Sequence, residues 1–157
     1  MRTFSGHPGP RRVSPGEYPW WDRALALLNR DLAVTLPQQK PLWLMIDPDQ
    51  PEHVYVAMDN GEWHGTYLLT DSTDEPASVL ATVAEAAQDT VTECLWRAWP
   101  LCPEHGLGMH LRDANGHLSW WCAGDRRGGD GHVLAAVGVL DMVVPAPRPE
   151  GERNRAA

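Results

Sequence analysis

Two cysteines and two histidines in the last third of this 157-residue chain carry its clearest chemistry. Cys102-Pro103-Glu104-His105-Gly106 places a thiol and an imidazole on one tight turn, and Cys122 and His132 supply a second pair. Thiolate sulfur and imidazole nitrogen are the donors that structural zinc takes, so the four side chains make a complete tetrahedral ligand set for one Zn²⁺. Four protein ligands close the first shell and leave no position for an activated water. The expected role of such a metal is to hold a small lobe together.

The stretch between the two pairs reads as the element that brings them together. Residues 109–112 and 117–121 alternate in polarity around Asp113-Ala114-Asn115-Gly116, and Asn-Gly is the strongest short-range signal for a two-residue hairpin turn. Such a hairpin carries Cys122 back toward Cys102. The knuckle and hairpin over about residues 99–135 resemble a zinc ribbon, with a long glycine-rich spacing before His132 where a second knuckle is usual. Because strand side chains alternate, His110 belongs beside Trp121 on the face opposite Cys122. His117 lies at the turn, roughly 16 Å along the strand from Cys122. Neither is a ligand in this register. Asp125 and Asp130 flank Gly128-Gly129 and are alternatives to His132 if that loop folds back. The competing reading makes Cys102 and Cys122 small buried hydrophobes and the histidines ordinary surface residues. Cys94 falls on the apolar stripe of a helix and reads as a structural thiol.

Catalysis is less well supported. Without His132, the set Cys102, His105 and Cys122 would form an open zinc site with Glu104 or Asp125 as the nearest base, the arrangement of a metal-dependent hydrolase. Glu104 sits between two ligands in a tight knuckle, so its carboxylate is expected to point away from the metal. No His-x-Glu precedes Cys102, which disfavours a zinc deaminase. Asp47, His53, Glu62 and His64 fall near strand ends and could form an acid/base pocket, although polar residues there are usually solvated. No Ser-His-Asp, phosphate-loop, dinucleotide or calcium motif is present in the sequence.

Charge narrows the partners. The net charge is −8, and residues 41–98 carry one basic and eleven acidic side chains. Nucleic-acid binding needs basic groups to neutralise phosphates, so this region would repel DNA or RNA and suits a basic protein partner better. Arg112, Arg126 and Arg127 are the compact basic group outside the N-terminal arm, and they carry the nucleic-acid alternative. Three cysteines, Cys94, Cys102 and Cys122, are an odd number that a secreted disulfide framework would rarely use. The start of the chain lacks an apolar h-region, and no segment approaches about 18 apolar residues. A cytoplasmic protein without membrane association is therefore expected. Eight tryptophans against one phenylalanine, with Trp20-Trp21 and Trp120-Trp121 in pairs, mean that some indoles must point away from the face their neighbour buries, and these residues are either packing anchors or exposed binding surface.

The positioning elements follow from periodicity. Residues 1–16 and 146–157 are rich in Gly, Pro and Arg and read as a flexible arm and tail. A first helix starts at Pro19, buries Trp21, Leu25, Leu28 and Leu32, and stops before Pro37. The apolar run 42–46 reads as a buried strand. Residues 53–58 and 62–69 read as a hairpin around Asn60-Gly61, with Met58 facing Trp63, Ala57 facing His64, and Val54, Val56 and Met58 on one face. Ser72 and Glu75 have capping-box spacing before a second helix from Pro76 to near Trp99-Pro100. Leu80, Val83, Ala87, Val91, Cys94, Leu95 and Ala98 form its stripe, and Glu85, Gln88, Asp89 and Glu93 are its solvated face. Residues 133–144, broken by Gly138, supply one or two closing strands. The expected architecture is α+β: two helices packed on a small mostly antiparallel sheet over 17–98, then a zinc-ribbon-like lobe over 99–145. The expected function is that of a small zinc-stabilised protein acting as an adaptor or regulator through a protein partner.

Overall fold

A computed structural model of the chain describes residues 9–70, 75–124 and 131–143. Two helices pack on a small antiparallel sheet, and a three-stranded C-terminal lobe with a Cys/His cluster follows. Helix α1 spans Pro19–Thr35, with proline at its start, where a missing N–H is harmless. Trp21, Leu25, Leu28 and Leu32 are all buried, as their spacing requires. The first sheet contains β1 (Arg11–Arg12), β2 (Trp43–Asp47), β3 (Gln50–Ala57) and β4 (Leu68–Leu69), in that order. All its pairings are antiparallel. Leu44, Ile46, Val54 and Val56 face the helices and are nearly inaccessible.

Two expectations for the strands of this half need correction. The arm over 1–16 is ordered in its second part, because Arg11 and Arg12 pair with Ile46 and Met45 and Val13 is buried. The Asn60-Gly61 turn is closed by Met58 N–H donating to the Glu62 carbonyl at 2.8 Å. Beyond it the chain leaves the sheet. Trp63 stacks on Tyr55 at 4.7 Å, and the His64 N–H donates to Thr90 Oγ1 at 3.2 Å. The ladder resumes only at Leu68 opposite Val54, so the expected Met58–Trp63 and Ala57–His64 pairs do not form. A buried threonine hydroxyl on the neighbouring helix takes the place of the ladder here. Its oxygen lies 2.8 Å from the Val56 carbonyl and 3.1 Å from the His64 carbonyl, bridging the two segments where the ladder is open.

Helix α2 spans Pro76–Leu95. Glu75 is its N-cap, one position before Pro76, so the Ser72–Glu75 capping box does not describe this start; Ser72 itself lies outside the described residues. The helix ends at Trp96, which takes a left-handed cap at φ 54°, four residues earlier than the proline at position 100 suggested. Val83, Ala87 and Val91 are buried, while Ala98 lies beyond the helix and is exposed.

The lobe is an antiparallel sheet of β5 (His110–Ala114), β6 (His117–Cys122) and β7 (His132–Ala136), followed by a short 3-10 turn at Leu140–Met142. Asn115 and Gly116 both have positive φ, at 51° and 81°, the two-residue turn whose twist matches a hairpin. One strand, rather than two, follows His132. The hydrophobic core is continuous across both parts, joining Leu28, Val83 and Val91 to Trp99, Met109, Trp120 and Leu140.

Two polar contacts fix the lobe to the helices. Gln88 on α2, expected to be solvated, is half-buried, and its side-chain NH₂ donates to the carbonyls of Trp99 at 3.1 Å and Met109 at 2.7 Å. Asp31 on α1 is fully buried; its carboxylate accepts from Trp120 Nε1, Gly138 N and Leu140 N at 2.8, 2.7 and 3.1 Å. Burial pushes its pKa up, against the opposing pull of these donors. Both buried and exposed tryptophans occur. Trp99 and Trp120 meet edge to face at 5.7 Å inside the core, whereas Trp96 is 91% exposed.

Candidate metal centre

The site begins with the knuckle that follows Trp99-Pro100. Cys102 N–H donates to the Leu107 carbonyl at 2.8 Å, and Gly106 N–H donates to the Cys102 carbonyl at 2.8 Å. Gly106 has φ 67°, a left-handed conformation that turns the chain back after His105. Leu101 then bridges to Gly108, so the knuckle is the loop of a minimal hairpin. The second pair comes from the lobe sheet. Cys122 and His132 are direct antiparallel partners in β6 and β7, which puts their side chains on one face of the sheet. The long spacing between them is therefore a strand-to-strand connection, and register does the work that a second knuckle does in a zinc ribbon.

One potential ligand atom from each of Cys102, His105, Cys122 and His132 lies within 4.8 Å of every other, and this is the one such group of metal-binding side chains among the described residues. Cys102 Sγ is 3.6 Å from His105 Nδ1 and 3.5 Å from His132 Nε2, and Cys122 Sγ is 3.5 Å from His105 Nδ1. A tetrahedron with Zn–S near 2.3 Å and Zn–N near 2.05 Å has S···N edges of about 3.6 Å. The three separations match that edge. The donor set, its spacing and its burial fit a tetrahedral ion, with no fifth protein ligand among the described residues.

Both sulfurs are buried, and burial pushes the Cys122 thiol up, partly offset by the Gly124 N–H that donates to its sulfur at 3.4 Å. Two thiolates would be held together in such a place only with positive charge between them. Glu104 corrects an expectation. Its Oε2 lies 3.9 Å from His132 Nε2, so the carboxylate sits at the rim of the cluster rather than pointing away, and it is largely exposed.

The remaining candidates are dispersed. His110 lies against Trp121 at 6.2 Å on the opposite face, as alternation predicts, and His117 is at the hairpin turn. Asp125 and Asp130 lie outside the described residues, as do Arg126 and Arg127. Arg112 lies over the Trp121 ring at 4.1 Å. Cys94 is half-buried on α2, and burial raises its pKa first of all. His53 stacks on Tyr67 at 3.8 Å and bonds Gln50 at 2.9 Å, while His64 is held through its backbone, so the Asp47, His53, Glu62 and His64 set forms no shared site. No described helix is long and apolar enough to cross a membrane. The polar residue that sequence reasoning missed is Asp31. Its signal was an acid three residues after Leu28 and one before Leu32, on the buried face of α1.

Comparison with protein-family models, with curated proteins and with solved structures finds no match to this chain. On its own residues it is a small α+β protein with a Cys-His-Cys-His cluster capable of coordinating a metal ion.

Proposed function

We propose that the cluster holds one structural Zn²⁺ through Cys102, His105, Cys122 and His132, and that the stabilised protein acts as an adaptor or regulator by binding another protein. The observation that carries the metal reading is the set of S···N separations at 3.5–3.6 Å, the edge of a tetrahedral zinc shell. The metal would tie the knuckle, β6 and β7 together in a lobe whose own apolar core is small. Support for a protein partner comes from Trp96. A left-handed helix cap favours glycine, yet here it holds a bulky indole that is 91% exposed and adds little to the core. Leu101 and Leu107 on the knuckle are also exposed, and the surrounding segment is strongly acidic, which suits a partner with an apolar anchor pocket and a basic rim. Affinity capture from the source lysate with wild-type and Trp96→Ala protein, followed by a direct binding measurement with the purified partner, tests this role. A defined partner lost by the variant supports it, and equal binding by both contradicts it.

A second reading rests on Glu104. A carboxylate 3.9 Å from His132 Nε2 could serve as a base if that histidine left the metal, giving the open Cys-His-Cys hydrolase site. Metal-bound water in the purified protein would favour it. A nucleic-acid role has less support, because Arg112 is already stacked on Trp121 and the net charge is −8.

A further inference from the structure

A second site lies away from the metal, where the N-terminal halves of α1 and α2 meet the turn end of the β5–β6 hairpin. The cavity there has a volume of about 400 Å³. That is at the low end of ligand pockets, roughly 300–1,000 Å³, and limits an occupant to a small molecule. Trp20, Leu27 and Leu80 give it apolar walls, and Arg23, Asp113 and His117 also line it. Trp20, Arg23 and Leu27 form a second stripe on α1, beside the buried stripe of Trp21, Leu25 and Leu28. The helix therefore presents one face to the core and an adjoining face to the cavity.

The charges are the informative part. Arg23 and Asp113 line the same cavity but form no ion pair with each other, and neither has an ion-pair or hydrogen-bond partner among the described residues. A guanidinium presents donors suited to a carboxylate, and a carboxylate presents acceptors suited to an ammonium group. Asp113 is the cross-strand partner of Leu118, whose neighbour on that face is the buried Trp120, so its side chain lies on the helix-facing side of the lobe sheet.

We propose that this cavity binds a zwitterionic α-amino acid with an apolar side chain. Arg23 takes its carboxylate, Asp113 takes its ammonium group, and Trp20, Leu27 and Leu80 enclose the side chain. This goes beyond the adaptor role and does not depend on the metal site, since none of the five residues belongs to the cluster. A ligand here would bridge α1, α2 and the hairpin, coupling its concentration to the packing of the lobe on the helices.

Calorimetric titration of the full chain as purified with L-phenylalanine, 3-phenylpropionate and 2-phenylethylamine tests the assignment, with amide NMR shifts locating the site. The expected result is saturable binding of L-phenylalanine, with each analogue at least about tenfold weaker because one charged partner is left unmatched. Arg23→Gln and Asp113→Asn should each weaken L-phenylalanine about tenfold while leaving the unfolding midpoint unchanged, since both side chains are exposed. Leu80→Trp, which fills the cavity, should abolish binding. Equal affinity for 3-phenylpropionate, unchanged affinity in both charge variants, or no saturable binding of any of the three would overturn the proposal.

Discussion

The indole of Trp120 donates to a carboxylate oxygen of Asp31 at 2.8 Å, joining the central strand of the C-terminal lobe to the first helix across 89 residues of sequence. Gly138 donates to the same oxygen and Leu140 to the other, so one buried carboxylate organises three donors from two segments of the lobe. Removing it leaves all three unpaired. Asp31→Ala should therefore cost about 3 kcal/mol or more, at about 1–3 kcal/mol for each buried group left unsatisfied. Asp31→Asn keeps one acceptor oxygen and should cost less. Urea unfolding of both variants checks the order, and a cost below about 1 kcal/mol for the alanine variant would contradict the role given to Asp31.

The same carboxyl sets a pH dependence. Burial raises its pKa in the folded state, so that state binds the proton more readily than the unfolded chain does. Its contribution is then fully present below the ordinary carboxylate range and is lost as pH rises through the raised folded value. The stability difference between wild type and Asp31→Asn should accordingly be most favourable to wild type in acid and shrink toward neutrality. A carboxyl-carbon NMR titration reads the midpoint directly. It should lie above about 3.9, and a value at or below that would show that the three donors outweigh burial.

Trp96 offers a test of whether stability has been given up for a surface. Its φ of 54° is strained for any residue but glycine, and its side chain is 91% exposed. Trp96→Gly should raise stability by about 1 kcal/mol, and Trp96→Ala should change it by no more than about 0.5 kcal/mol. A loss above about 1 kcal/mol in either variant would mean that the indole packs against the fold, removing the main support for a docking role.

Gly116 isolates the cost of the hairpin turn. Its φ is 81°, and an added Cβ would meet nothing within 4 Å, so Gly116→Ala changes backbone strain alone. A destabilisation of about 1 kcal/mol is expected by thermal unfolding. No effect would indicate that the turn relaxes without loss.

Local signals in the sequence carried much of this structure. The α1 stripe, the Asn115-Gly116 turn and the Cys102–His105 knuckle are each written within a few neighbouring residues, and the fold places them as read. What was not legible depends on partners distant in the chain. Asp31 looks like a helix-surface acid until Trp120 is folded against it, and Gln88 looks solvated until the carbonyls of Trp99 and Met109 arrive beside it. The strand after Gly61 was misplaced because Thr90, far along α2, bridges the two segments where the ladder is open. For the cluster, residue types named four candidate ligands. What makes His132 adjacent to Cys122 is the register of β6 with β7, a tertiary fact that spacing could not supply.

Glu104 separates the structural reading from the hydrolytic one. It is exposed and 3.9 Å from His132 Nε2. Glu104→Gln should leave zinc content unchanged and stability within about 0.5 kcal/mol. Cys122→Ser or His132→Ala should lower both metal content and unfolding midpoint, whereas His110→Ala and His117→Ala should lower neither. Metal retained at full occupancy in His132→Ala, with water in the fourth position, would favour the open site.

Zinc X-ray absorption on purified protein of measured metal content tests the central claim most directly. One zinc per chain is expected, in a first shell of two sulfurs near 2.3 Å and two imidazole nitrogens near 2.0–2.1 Å. Near-zero zinc with an unchanged unfolding midpoint after chelation, or a shell containing a water oxygen in place of the second nitrogen, would contradict it.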